Sequence, residues 1–145
     1  MAYRRIAVLA ALAAPVVASA GTPTIVTSSA VYVERREAGT TRQLEAADRF
    51  DKGERVVTIL RWQRRAGSGG FTITNPLPRA IAYQTSSRRD EQVSVDGGRN
   101  WGRLGQLMIG NRLASPEDVT HVRWRISPQI AARGRGQIAY SGIVR

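Results

Sequence analysis

The chain has 145 residues, one histidine, no cysteine, and 22 basic against 11 acidic residues, a formal net charge of +11. The missing cysteines exclude disulfides and thiolate metal ligands, and a lone histidine leaves a zinc or iron shell without enough nitrogen donors. The length and a 42% apolar content suit one domain that relies on packing alone.

Residues 1–20, "MAYRRIAVLAALAAPVVASA", read as an export signal. Arg4 and Arg5 form a positive start, Ile6 to Ala18 an apolar stretch, and Ala18-Ser19-Ala20 a small-residue cleavage site. The apolar stretch is interrupted by Pro15 and falls short of the ~20 residues that cross a bilayer. Cleavage after Ala20 leaves a single domain, residues 21–145, without a transmembrane segment and bound for the periplasm or the cell surface.

From there the chain carries short runs rich in Val, Ile, Thr, Tyr and Trp, bounded by Gly, Pro, Asp and Asn. That is a strand-and-turn pattern. "TIVTSSAVYVERR" (24–36) alternates at its end, and "TTRQLEA" (40–46) follows as a short strand. "RVVTILRW" (55–62) is apolar on both faces, which suits a central strand. "FTITNPLP" (71–78) must stop or lie at an edge, because Pro76 and Pro78 cannot donate to a ladder.

"AIAYQ" (80–84) and "EQVSV" (91–95) are short strands, the second turning through "DGG" into "NWGRL" as a hairpin. "QLMIG" (106–110) is ambiguous. Ser115 and Pro116 predict a single helical turn over 116–119. "THVRWRI" (120–126) puts Thr120, Val122, Trp124 and Ile126 on one face and His121, Arg123 and Arg125 on the other. "GQIAYSGIVR" (136–145) supplies the last strand. Seven to nine short strands without a fixed repeat predict an all-β, immunoglobulin-like β-sandwich, with a small closed β-barrel as the alternative.

One motif carries a suggestion of chemistry. "SVDGGRNW" (94–101) has the outline of an Asp-box, with Ser94, Asp96, Gly98 and Trp101 at the defining positions. Each part serves a turn: Asp96 accepts from turn amides, Gly97 or Gly98 takes a positive φ, and Trp101 folds back over the loop. One copy therefore predicts a stabilised hairpin and no reaction. Elsewhere, His121 sits on the arginine face of a strand with no nucleophile elbow in the chain, which argues against a Ser-His-Asp triad. Glu34, Glu37, Glu45 and Glu54 lie among arginines and are expected to balance charge. "GRGQ" and "GSGG" lack the spacing of a phosphate loop, so no cofactor is expected.

Charge admits three readings. All basic residues but Lys52 are arginine, and they are spread along the chain with no run of five. The first reading is scattered, solvated charge. The second is attraction to acidic envelope polymers through the face of His121, Arg123 and Arg125. The third, nucleic acid, fits poorly with export, and alternation places Trp62 and Trp124 in the core, away from any stacked base.

From "DKGERVVTILRWQRRAGSGG" to the end, the order of features resembles the bacterial conserved-repeat domain family, known as domain of unknown function eleven. "FTITNPLP" followed by "AIAYQT" is similar to its "V-x-(D/N)-x-L-P-x-x-(V/L)-x-(Y/F)" core. "QVSVDGGRNWGRL" and "VTHVRWRISPQIAARGRGQIAYSGIVR" resemble its later strands. The family's Asn-x-Gly after the long strand is replaced here by Gln63-Arg64-Arg65-Ala66-Gly67. The resemblance implies an exported immunoglobulin-like module without general catalytic activity. The expectation is a non-enzymatic protein of the cell envelope, structural or adhesive, whose partners are acidic polymers or another envelope protein. A small glycan-binding or glycan-hydrolysing protein, and a nucleic-acid-binding barrel, stand as alternatives.

Overall fold

A computed structural model describes residues 21–36 and 42–145. The expected export segment, Glu37 and the first residues of the 40–46 run lie outside the described residues.

The described residues form ten strands: β1 (Thr24–Arg36), β2 (Arg42–Ala46), β3 (Arg55–Ala66), β4 (Phe71–Pro76), β5 (Ile81–Ser86), β6 (Gln92–Ser94), β7 (Met108–Ile109), β8 (Arg112–Leu113), β9 (His121–Ile126) and β10 (Arg135–Val144). A large antiparallel sheet runs β2-β1-β3-β10-β5, and a smaller one runs β4-β9-β6. The two-residue strands β7 and β8 pair only with each other. Among the described residues no sheet closes on itself. The architecture is an all-β sandwich, and the barrel alternative falls away.

The sandwich follows from period-two patterning. In β3, Val56, Thr58, Leu60 and Trp62 are buried, while Arg55, Val57 and Ile59 lie on the outer side and are half-covered. Antiparallel register sets Leu60 between Ser29 and Ile138, and Trp62 between Thr27 and Gly136. The Trp62 ring occupies the space above Gly136, where an added Cβ would lie 2.6 Å from Cζ2. Facing this layer, β9 contributes Val122, Trp124 and Ile126, each at most 2% exposed. Trp124 stacks at a tilt on Tyr140 with 5.7 Å between centroids, and its Nε1 donates to Ser86 Oγ at 2.9 Å. Trp62 meets Phe71 edge-on at 5.1 Å. Both tryptophans are core residues, as alternation predicts.

Pro76 ends β4, an edge strand of the small sheet, so its missing N–H leaves no ladder bond unmade. The helical turn appears as a 3-10 turn over Pro116–Asp118, with the Asp118 carboxylate accepting from Ser115 N at 2.7 Å and from its hydroxyl at 2.9 Å. Three features depart from the sequence expectation. The strand count is ten because "QLMIG" supplies β7 and opens a minimal ribbon. After Ser127, Pro128–Ala131 form a short helix, α1, capped by the Ser127 hydroxyl. The segment after the Asp-box does not form a second hairpin strand: it meets β6 through one isolated bridge, Val93 to Gly102.

Of the carboxylates singled out earlier, Glu34, Glu45 and Glu54 balance charge, while Glu37 lies outside the described residues. Arg55 bonds Glu34 at 2.6 Å, Arg35 bonds Glu45 at 2.6 Å, and Glu54 lies 3.6 Å from Arg35. They lie on β1, on β2 and in the turn before β3, and among the described residues the arginines of the small sheet have no acidic partners.

Candidate functional site: the outer face of the small sheet

Strand β9 is the middle of the small sheet, so its outward residues are the centre of an open face. Register places Arg123 between Gln92 of β6 and Thr74 of β4, His121 between Ser94 and Pro76, and Arg125 beside Thr72. Thr72, Thr74 and Arg125 are exposed, and His121 and Arg123 are half-buried.

Over one side of this face folds the Asp-box. Ser94 lies on the outward side of β6 yet has no exposed surface, because residues 95–101 close over it. Its Oγ donates to Asp96 Oδ1 at 2.8 Å and accepts from Gly98 N at 2.8 Å. Asp96 Oδ1 also accepts from the amides of Arg99 (3.1 Å) and Asn100 (2.9 Å), and Oδ2 from Asn100 Nδ2 at 2.7 Å. Gly97 and Gly98 take φ of 78° and 89°, the left-handed region that side chains avoid. Trp101 Nε1 donates back to Gly98 O at 2.8 Å. The Asp96 carboxylate is thus consumed by its own loop.

These bonds favour the charged form of Asp96. Its pKa lies well below the ordinary value, chiefly through the Asn100 amide, then the Asn100 side chain and the Ser94 hydroxyl. Because the folded value is the lower one, the stability drawn from this carboxylate is present above about pH 4 and is lost as pH falls through the folded value. Asp96→Asn is therefore expected to flatten the acid limb of the stability curve. Urea unfolding of both proteins at several points between pH 2 and 5 checks this: the gap between them must narrow as pH falls.

The loop also sets the cationic side chain. Trp101 presents its ring to Arg123, whose Cζ lies 4.3 Å from the ring centroid, and Arg123 Nε donates to Gln92 Oε1 at 3.0 Å. His121 flanks the same ring edge-on at 6.4 Å, with Nδ1 3.0 Å from Thr120 Oγ1. Burial, and then the neighbouring Arg125, hold the Arg123 guanidinium below its ordinary pKa, but a guanidinium stays charged. Two of its nitrogens remain free of partners among the described residues, as does the Arg125 guanidinium.

The structure joins what the sequence presented as two separate features, a turn motif and an arginine strand: Trp101 of the first is the stacking surface for Arg123 of the second. Two further basic places went unread. Arg61, Arg65 and Arg135 rim a shallow depression of about 610 Å³ on the outer face of the large sheet. Arg89 and Arg103 line a side pocket with Glu91. Alternation within β3 already aligns Arg61 with Arg65, but bringing Arg135 beside them takes the β3–β10 register.

Fold and site together define a β-sandwich with one aromatic-backed cationic face, and among the described residues no helix is long and apolar enough to span a membrane. No family model, no curated protein and no solved structure matches the chain.

Proposed function

We propose that the chain is an exported, non-enzymatic immunoglobulin-like module with a structural or adhesive role in the bacterial cell envelope, and that it docks acidic envelope polymers on the face of His121, Arg123 and Arg125. The observation that carries this reading is Arg123 itself. The Trp101 ring and Gln92 fix its guanidinium at the centre of an open sheet face, beside Arg125 and without a carboxylate partner among the described residues. An arginine held in place before binding loses less side-chain entropy when it meets an anion, and its planar fork suits carboxylates and phosphates.

The export signal and the resemblance to the conserved-repeat domain family support the cellular setting. The role of a simple binding module is supported by four clefts among the described residues, whose linings include one carboxylate, Glu91, where a glycosidase uses two. Burial of Trp62 and Trp124 takes away two stacking platforms that nucleic acid would use, and the Trp101 ring is covered by Arg123.

The test is envelope association of the cleaved protein across a salt titration. The native protein is expected to co-sediment with envelope fragments at low salt and to be released as salt rises. Arg123→Glu/Arg125→Glu, both on an exposed face, is expected to fold normally and to stay in the supernatant. Unchanged association of that variant at every salt concentration overturns the reading.

A further inference from the structure

The large sheet is charge-balanced at one end and unbalanced at the other. Around the start of β3, Arg35, Arg42 and Arg55 meet Glu34, Glu45 and Glu54. Toward the end of the same strand, Arg61, Arg65 and Arg135 rim the depression of about 610 Å³, whose lining includes Ser28, Gln63 and Gln137 and no carboxylate. All three arginines are exposed and form no ion pair among the described residues.

Register gathers them. Arg61 lies across from Gln137 and Gln63 across from Arg135, which sets Arg135 diagonal to Arg61 at a backbone spacing of about 7–8 Å, within reach of long side chains. Arg65 closes the rim two residues beyond Gln63. Like charges side by side on a sheet repel, and an anion laid over them removes that cost. Guanidinium forks and side-chain amides both donate to carboxylate oxygens. The depression lies on the outer face of its sheet, so it and the face of Arg123 and Arg125 point in opposite directions. The two sheets of a sandwich pack about 10 Å apart, with side chains extending further on both sides. Anionic chains on the two faces therefore lie beyond the Debye length of ~8 Å at physiological salt and repel each other little.

We propose that the depression is a second, weaker site for acidic polysaccharide, and that the module bridges two polymer chains, one on each outer face. The proposal rests on the reading of the Arg123 face as a polymer site and adds cross-linking to it. The ranking of the two sites follows from how each is prepared. Trp101 and Gln92 hold Arg123 in place, whereas no carboxylate holds Arg61, Arg65 or Arg135 among the described residues. Those three lose more side-chain entropy on binding, so the depression alone does not retain the protein on the envelope. A module already held through Arg123 meets neighbouring chains of the polymer at high effective concentration, where a weak contact suffices.

Light scattering of polygalacturonate, followed as mature protein is added at low salt, reads bridging. The native protein is expected to build aggregates that pass through a maximum and dissolve in excess protein, where every chain is saturated. Arg61→Gln/Arg65→Gln/Arg135→Gln is expected still to bind immobilised polygalacturonate, yet to cut the scattering maximum by about tenfold or more. Arg49→Gln/Arg79→Gln/Arg89→Gln removes as much charge from exposed positions elsewhere and is expected to keep the aggregates. The site itself is read by titrating oligogalacturonate into Arg123→Glu/Arg125→Glu and following amide signals by NMR. Shifts are expected at Ser28, Gln63 and Gln137, and none there once the three substitutions in the depression are added. Native-like aggregation by Arg61→Gln/Arg65→Gln/Arg135→Gln, an equal loss in the charge-matched control, or no shift at Gln63 and Gln137 overturns the inference. Unchanged envelope association of Arg123→Glu/Arg125→Glu with those shifts intact instead sinks the sheet-face reading and leaves the depression as a polymer site.

Discussion

Trp124→Ala is expected to destabilise the domain by about 3–5 kcal/mol, the range for emptying an aromatic site in a packed core. Trp124 has no exposed surface, is the largest fully buried side chain, and lies against Tyr140 across the sheet interface. Val122 on its own strand and Tyr140 against its ring are held by two ladders each, so the cavity cannot collapse by sliding a strand. Domain stabilities of ~5–15 kcal/mol make this loss close to decisive. Trp124→Phe keeps most of the contact area, gives up the bond to Ser86, and should lose roughly 1–2 kcal/mol. Urea denaturation of the three proteins gives the comparison. A loss below 1 kcal/mol for the alanine variant would mean that the two sheets are not packed through this side chain.

Ser94→Ala has the second largest expected effect, about 1–3 kcal/mol, for a different reason. The volume change is small, but the Gly98 amide loses its acceptor and Asp96 loses a donor inside a closed loop. The expected signature is local: amide exchange at Gly98 and Asn100 speeds up much more than at core residues such as Val122. Because Trp101 is tied to Gly98 O, the loosened loop also frees Arg123. Uniform protection across the loop in this variant would contradict the account of the Asp-box as a self-bonded turn.

Features that depend on one strand or one turn could be read from the chain. The face assignment of β9 followed from alternation alone, since Val122 and Trp124 are apolar and Arg123 and Arg125 are not. The Asp-box was legible because every bond of the Asp96 carboxylate and of the Trp101 ring nitrogen lies within residues 94–101. What depended on pairing was hidden. "DGG" between two strand-like runs looks like a tight hairpin, but Asp96 accepts at the third and fourth residues on, which widens the loop and leaves one bridge at Gly102. Helix α1 is a single turn, too short for an apolar period, and its only sign was Ser127 followed by Pro128. The Glu91 pocket brings together β5, the start of β6 and the loops after residues 102 and 113, a juxtaposition that only the sheet order produces.

The distribution of charge follows the same logic. Scattered in the chain, the arginines sort in space into two populations. Arg35, Arg42 and Arg55 meet Glu34, Glu45 and Glu54, Arg88 meets Asp90 and Arg112 meets Asp118, while among the described residues Arg123 and Arg125, like Arg61 and Arg65, meet none. The first group accounts for solvated, balanced charge. Within the second, the aromatic support under Arg123 distinguishes it from arginines that merely extend into water.

The claim that this face recognises acidic polymer is tested most directly by calorimetric titration of mature protein with polygalacturonate at a series of salt concentrations. The account predicts that log Kd rises linearly with log salt, as counterion release requires. It also predicts that Arg123→Glu/Arg125→Glu lowers that slope by about two, one per lost contact, and weakens binding more than tenfold at the lowest salt. An unchanged slope and affinity in the charge-reversed protein would contradict it.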